Sequence, residues 1–207
     1  MKMAPLRWPN YVFDGNQQTP YVETDQTGPT GVYGQTKLDG ELAVQRHCPK
    51  HIILRTAWVF SEYGNNFMKT MLRLANERDR LGVVGDQVGC PTYAGDIANS
   101  LISIAQQIHM AEQNKSGMQA HYGVYHYAGK EVVSWYGFAI AIFEAAQQAG
   151  IIVKIPVLNE IDTAAYPTAA KRPAYSALST AKIEANYKLR PSEWRMACKN
   201  LSTSLLL

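Results

Sequence analysis

The chain has 207 residues, of which 46% are hydrophobic and 18% are charged, as expected for a soluble globular protein of one large or two small domains. Its net charge of +3 is too small to indicate a nucleic-acid partner, and no apolar segment is long enough to cross a membrane. The three cysteines are scattered and odd in number, which argues against a disulfide framework or a thiolate metal site and favours a reducing cytoplasm.

The first half of the chain predicts strands and helices in alternation, a pattern typical of an α/β fold. The short apolar run at 11–13 predicts the end of a buried strand, and a polar loop then leads to a helix over 32–47. The largely apolar segment 51–56 predicts a buried parallel strand, continued by residues 57–60.

The second half continues this alternation. Helices are predicted over 67–78, 96–110, 134–148, 180–187 and 193–205, and strands over 82–84, 124–129 and 151–157. Ser134 is expected to cap the helix that follows it, whereas residues 159–173 are expected to be irregular.

Tyr33 and Lys37 stand four residues apart in the helix predicted over 32–47, so their side chains share one face. A free tyrosine has a pKa of about 10, and an ammonium group one turn away favours the phenolate and lowers that pKa. Such a pair can give a proton to a carbonyl oxygen while a cofactor delivers a hydride. With 12 tyrosines in the chain, the same spacing also arises by chance on a solvated helix face.

Glycines in and before this helix give a weaker signal. Gly28, Gly31 and Gly34 match the spacing of a dinucleotide-binding loop, but a polar loop precedes them rather than a strand, so we reject that interpretation. Gly34 and Gly40 each weaken a helix by about 1 kcal/mol relative to alanine, which predicts a close approach of a ligand or a neighbouring helix.

The C-terminal region is basic. Residues 171–199 contain two acidic side chains against seven basic ones: Lys171, Arg172, Lys182, Lys188, Arg190, Arg195 and Lys199. This region could face an anionic ligand such as a diphosphate, or it could form ordinary solvated helix faces.

Several motifs follow one another along the chain, among them Tyr11-Val-Phe-Asp-Gly15, Val32-Tyr33-Gly34-x-Thr36-Lys37, Leu54-Arg55-Thr56-x-Trp58-Val59-Phe60, Asp86-Gln87, Ser134-Trp135-Tyr136 and Arg172-Pro173. Together they resemble the extended short-chain dehydrogenase/reductases and, within them, the dTDP-4-dehydrorhamnose reductases. The resemblance extends from Tyr11 almost to the C-terminus.

The resemblance implies reduction of dTDP-4-dehydro-6-deoxy-L-mannose to dTDP-L-rhamnose with NADPH or NADH, a step in the synthesis of cell-surface polysaccharide. By the same resemblance, Tyr33 would donate the proton and contact the cofactor. Lys37 would lower the pKa of Tyr33 and hold the nicotinamide ribose, and Asn10 and Trp58 would bind the sugar. A homodimer with Mg²⁺ at its interface is also implied, although the metal ligands cannot be assigned in this sequence.

The implied fold is α/β, with a partial Rossmann-like parallel sheet that contains only the later strands. Residues 1–60 with 94–133 would form this C-terminal part of an NAD(P)-binding domain. Residues 61–93 with 134–207 would form a small mixed α/β subdomain that binds the nucleotide sugar.

The sequence departs from the family pattern in two respects. Trp8-Pro9-Asn10 stands where the family has Ser/Thr-Thr-Asp, and no glycine loop precedes Tyr11. We therefore expect the chain to correspond to the C-terminal portion of a reductase and to bind no NADPH by itself. The alternative is a non-catalytic binding protein, like the regulatory subunit of methionine adenosyltransferase. Tyr33 and Lys37 favour the enzyme, whereas Pro9 favours the alternative.

Overall fold

The computed structural model describes residues 6–9, 11–113, 119–168 and 172–204, and of residues 6–9 and 202–204 it describes only the backbone. The helices are α1 (Val32–His47), α2 (Phe67–Glu77), α3 (Ala94–Glu112), α4 (Trp135–Gln148), α5 (Ala181–Tyr187) and α6 (Trp194–Ser204). The strands are β1 (Leu6–Pro9), β2 (Ile52–Thr56), β3 (Val59–Phe60), β4 (Arg80–Val84), β5 (Val88–Gly89), β6 (Thr92–Tyr93), β7 (Gly123–His126), β8 (Val133–Ser134) and β9 (Val157–Ile161). This order confirms the α/β class.

The largest sheet consists of three parallel strands in the order β1-β2-β7. All five residues of the central strand β2 are buried, as its apolar sequence predicted. Because the strands are parallel, their carboxyl ends meet at one edge of the sheet, which is where ligands bind in folds of this class.

The helix predictions agree closely with the structure. Helix α1 has the predicted bounds, and α2 ends one residue earlier than expected. At the start of α4, the hydroxyl of Ser134 accepts a hydrogen bond from the backbone N–H of Gly137, so Ser134 is the predicted N-cap.

Two strand predictions near the site are wrong. The strand expected to end at residues 11–13 ends at Pro9, and residues 11–13 form a turn in which Val12 and Phe13 are almost fully buried. The strand β2 does not continue through residues 57–60, because Trp58 adopts a left-handed backbone with a φ of 42°. This conformation turns the chain out of the sheet, and β3 then pairs with β6 instead.

The strand predicted over 151–157 is also wrong, because the strand in this region is β9. Val157 pairs with Arg80 of β4, directly after Pro156, which has no N–H to donate to a ladder. Ile152 is buried although it lies outside any strand, and Val153 is 98% exposed. The apolar run at 151–157 therefore reflects the burial of single residues such as Ile152, and not hydrogen bonding along a strand.

The buried residues form three clusters. One joins the sheet to α3 and α5, the second joins α2, α4 and α6 to β4, and the third lies under the loops that follow β1 and β2. No helix of the described residues combines the length and the apolar character that crossing a membrane requires. The division into the two predicted subdomains remains a prediction.

A close contact explains why position 34 of α1 is a glycine. A Cβ atom at Gly34 would lie 2.1 Å from the backbone oxygen of Tyr11 and 2.9 Å from the Cβ of Pro29. The close approach predicted for this helix is therefore made to the backbone of a loop of the same chain.

We expect Gly34→Ala to lower the free energy of unfolding by about 1–3 kcal/mol, because the added methyl group overpacks a backbone contact that cannot yield. Gly31→Ala serves as the matched control, since no atom lies within 4 Å of a Cβ at Gly31. Urea unfolding of the two variants checks this. Equal stabilities would contradict the close contact as the reason for a glycine.

Candidate functional site

Helix α1 brings the two residues of the predicted dyad together. The Nζ of Lys37 lies over the ring of Tyr33, 5.0 Å from its centroid, within the range of a cation–π contact. The Tyr33 side chain is 53% exposed, so a ligand in solution can reach it. The spacing inferred from the sequence is therefore realised as a contact on an accessible face of the helix.

The pKa of Tyr33 differs from the sequence expectation. Partial burial, and then the neighbouring Tyr11, raise the pKa of Tyr33 above its ordinary value. The ring of Tyr11 meets that of Tyr33 edge-on, with centroids 5.7 Å apart. In this structure Tyr33 therefore keeps its proton at neutral pH, and a lowering of its pKa by Lys37 remains a prediction.

One turn beyond Lys37, α1 carries the buried Glu41. Its carboxylate is fully buried and accepts hydrogen bonds from Arg55 Nε at 3.1 Å and from Arg55 Nη2 at 2.7 Å. Arg55 belongs to the central strand β2 and is only 4% exposed. This ion pair anchors the helix of the dyad to the sheet.

His126 of β7 extends the same buried network. Its Nε2 lies 3.5 Å from Nη1 of Arg55, and its Nδ1 lies 3.0 Å from the backbone oxygen of Tyr21. Because arginine only donates and a carbonyl only accepts, Nδ1 carries the proton and Nε2 is the acceptor. Burial, and then the charge of Arg55, lower the pKa of His126 to about 3, so His126 is neutral.

Trp58, the predicted sugar-binding residue, lies near the dyad. Its indole stacks on that of Trp135, with ring centroids 3.6 Å apart and planes 7° apart. Both tryptophans line a small cleft together with Tyr11, the residue whose ring contacts Tyr33. Tyr11 thus connects the dyad to the tryptophan pair.

A larger cleft of about 480 Å³ adjoins this small one, and Gln87, Trp135 and Arg172 line both. No acidic side chain is among the described residues that line it, and four arginines do: Arg73, which also pairs with Glu77 at 2.7 Å, Arg78, Arg80 and Arg172. Trp135, Phe67 and Tyr166 add aromatic surface. A cleft of this size, basic and partly aromatic, suits a ligand with both a diphosphate and a planar base.

The basic C-terminal region contributes less to this cleft than its charge suggested. Among its described residues, only Arg172 lines the cleft. The Nζ of Lys182 donates to the backbone oxygen of Val124, and Arg195 pairs with Glu131 on the surface. The other three arginines of the cleft come from α2, β4 and the segment between them, which the sequence analysis did not single out.

The described residues give no support to two of the predicted features. Asn10, the second predicted sugar-binding residue, lies outside the described residues. No group of three His, Cys, Asp or Glu side chains within the described parts of the chain could hold a metal ion.

Comparisons with known proteins identify the family. A model described as the RmlD substrate binding domain matches residues 9–206. The dTDP-4-dehydrorhamnose reductase of Aggregatibacter actinomycetemcomitans is 52% identical over 192 residues, which cover 93% of this chain and 63% of that protein.

Two solved structures, both described as dTDP-4-dehydrorhamnose reductases, resemble this chain. The crystal structure from Clostridium acetobutylicum matches with a TM-score of 0.83 and 37% identity, over 97% of this chain and 65% of that one. The structure from Bacillus anthracis in complex with NADP matches with a TM-score of 0.79 and 33% identity, over 96% of this chain and 65% of that one. The chain thus spans slightly less than two thirds of these relatives. Because the family model matches nearly its whole length, the chain belongs to the RmlD substrate-binding-domain family, as its motifs predicted.

Proposed function

We propose that this chain provides the proton-donating dyad and the nucleotide-sugar site of an NADPH-dependent dTDP-4-dehydrorhamnose reductase. Such an enzyme converts dTDP-4-dehydro-6-deoxy-L-mannose to dTDP-L-rhamnose. The observation that carries the proposal is the contact between Lys37 and the accessible Tyr33. The names of the relatives support the substrate, and the NADP complex of the Bacillus anthracis structure supports the cofactor.

In this proposal Tyr33 gives its proton to the oxygen of the C4 ketone, and NADPH, when bound, supplies the hydride. Burial raises the pKa of Tyr33 and makes it a weaker acid, so the proposal requires the charge of Lys37 to favour the phenolate. Lys37 stabilises the phenolate that is left behind and holds the nicotinamide ribose. Trp58 packs against the sugar, and Asn10 is the second residue proposed to bind it.

The predicted subdomains are part of the same proposal. Residues 1–60 with 94–133 contain the three strands of the largest parallel sheet. Residues 61–93 with 134–207 contain all the described residues that line the larger cleft, here called the arginine cleft after its four arginines. The dTDP group would lie in this cleft, with its diphosphate on the arginines. The homodimer, the interfacial Mg²⁺ and the cytoplasmic location stay predictions.

A non-catalytic binding protein of the same fold is the second candidate. Pro9 favours it, since this position lacks the hydroxyl that the family pattern places before its Tyr-Val-Phe-Asp-Gly motif. Both candidates use the arginine cleft, so both predict binding of a nucleotide sugar. Only the enzyme predicts that a variant of the dyad loses ketone reduction.

We expect dTDP-rhamnose to bind the purified chain saturably in calorimetry, and Arg172→Ala to weaken that binding about tenfold or more. The reason is that a hydrogen bond to a charged group contributes about 1.5–3 kcal/mol, and Arg172 lines both clefts. Arg46→Ala is the matched control, an exposed arginine of α1 whose Nε donates to the backbone oxygen of Leu42. Binding of dTDP-rhamnose no tighter than that of free rhamnose would refute the proposed site.

A further inference from the structure

Trp58 is held in an unfavourable backbone conformation. Its φ of 42° lies in the left-handed region, which bulky residues rarely adopt. Conformations of this kind persist where the surroundings fix them, and they cluster at functional sites. The contacts around Trp58 should therefore reveal what fixes its position.

Two neighbours confine the indole of Trp58. The ring of Trp135 stacks on it at 3.6 Å, and Gly89 lies so close that a Cβ there would be 2.6 Å from Cε2 of Trp58. The backbone oxygen of Trp58 also accepts a hydrogen bond from the N–H of Thr92 at 3.1 Å. The position of Trp58 thus depends on where Trp135 is placed.

Gln87 fixes the placement of Trp135. It is 6% exposed, and its Oε1 accepts a hydrogen bond from Nε1 of Trp135 at 3.2 Å. Its Nε2 donates to the hydroxyl of Thr163 at 3.0 Å, and that hydroxyl donates to Asp86 at 2.7 Å. Because an indole N–H only donates, the amide of Gln87 has one orientation that satisfies both partners.

Trp58, Gln87 and Trp135 lie where the two clefts meet. Trp58 lines the small cleft that Tyr11 shares, on the side of the dyad, whereas Gln87 and Trp135 line this cleft and the arginine cleft. They therefore stand at the junction between the two. A nucleotide sugar that spans both clefts would have its sugar at this junction.

We propose that Gln87 and Trp135 are positioning residues that hold Trp58 as the wall against which the sugar of the nucleotide sugar packs. This inference rests on the proposed function. Gln87 lines the arginine cleft only at its junction with the small one, so loss of its side-chain amide should weaken recognition of the sugar more than recognition of the nucleotide.

The test compares the wild-type chain with Gln87→Met, which keeps the length of the side chain and removes both hydrogen bonds. Gln107→Met, a half-buried glutamine of α3, is the matched control. The indole N–H resonances of the four tryptophans, assigned by single Trp→Phe replacements, report directly on the stack. We expect Gln87→Met to shift the resonances of Trp58 and Trp135, and Gln107→Met to shift neither.

Calorimetry with dTDP-rhamnose and with dTDP supplies the second readout. We expect Gln87→Met to weaken dTDP-rhamnose about 3- to 10-fold, in line with one misplaced aromatic contact, and to weaken dTDP by a smaller factor.

Suppose that the wild-type chain binds dTDP-rhamnose. An unmoved Trp58 resonance in Gln87→Met, or an equal loss of affinity for dTDP-rhamnose and dTDP, would then overturn the inference. A wild-type chain that binds neither ligand would instead overturn the proposed function, and with it the proposed packing of the sugar against Trp58.

Discussion

Replacing Tyr33 by phenylalanine is expected to lower kcat for ketone reduction by about 10²–10⁴-fold, the usual contribution of a positioned general acid. The measurement uses a chimera that joins this chain to the N-terminal part of the Aggregatibacter actinomycetemcomitans reductase, of which the chain matches 63%. The affinity for NADPH should change little, because Tyr33→Phe keeps the ring and its contact with Tyr11 and removes only the hydroxyl.

Two further variants make this result specific. Lys37→Ala should lower both the rate and the affinity for NADPH, since Lys37 is proposed to act on Tyr33 and on the ribose. Tyr63→Phe is the matched control, because Tyr63 is 79% exposed and lies in the loop before α2. An unchanged rate in the Tyr33→Phe chimera would refute the catalytic assignment and favour the non-catalytic alternative.

The dyad could be predicted from the sequence because it depends on local geometry alone. A helix places residues i and i+4 on one face, and α1 ends at His47, two residues before Pro49, which cannot continue a helix. Trp58 was found through the family motif, and the structure adds the stack with Trp135 that no local pattern indicates.

The arginine cleft could not be predicted in the same way. Arg73, Arg78 and Arg80 are separated from Arg172 by about half the chain, and only the packing of α2 and α4 around β4 brings them to one cleft. The clustering of charge at the C-terminus was a misleading signal, because Lys182 and Arg195 find partners elsewhere.

The strand errors have a related cause. Val12, Phe13 and Ile152 are buried although they lie outside any strand, and burial alone gives an apolar sequence without a ladder. Hydrogen bonding in a parallel sheet depends on partners far away in sequence, such as Arg80 for Val157. A single apolar run carries no information about such partners.

Glu41→Gln is expected to lower the free energy of unfolding by about 3–5 kcal/mol, because it leaves the charge of Arg55 buried without a counter-ion. Arg55 is 4% exposed, its other polar neighbour His126 is neutral, and the ring of Phe13 covers it at 5.1 Å. Water therefore cannot replace the lost carboxylate. Urea unfolding at neutral pH gives the measurement.

The exposed ion pair between Arg73 and Glu77 provides the matched control. Its side chains are 59% and 48% exposed, so Glu77→Gln should cost about 0.5 kcal/mol or less. The double replacement Glu41→Leu with Arg55→Met removes both buried charges and should recover most of the stability lost in Glu41→Gln. A cost for Glu41→Gln as small as that for Glu77→Gln would show that the buried pair does not anchor α1. The position of α1 would then have to depend on its other contacts, such as that of Gly34 with Tyr11 and the packing of Leu38 against the third cluster.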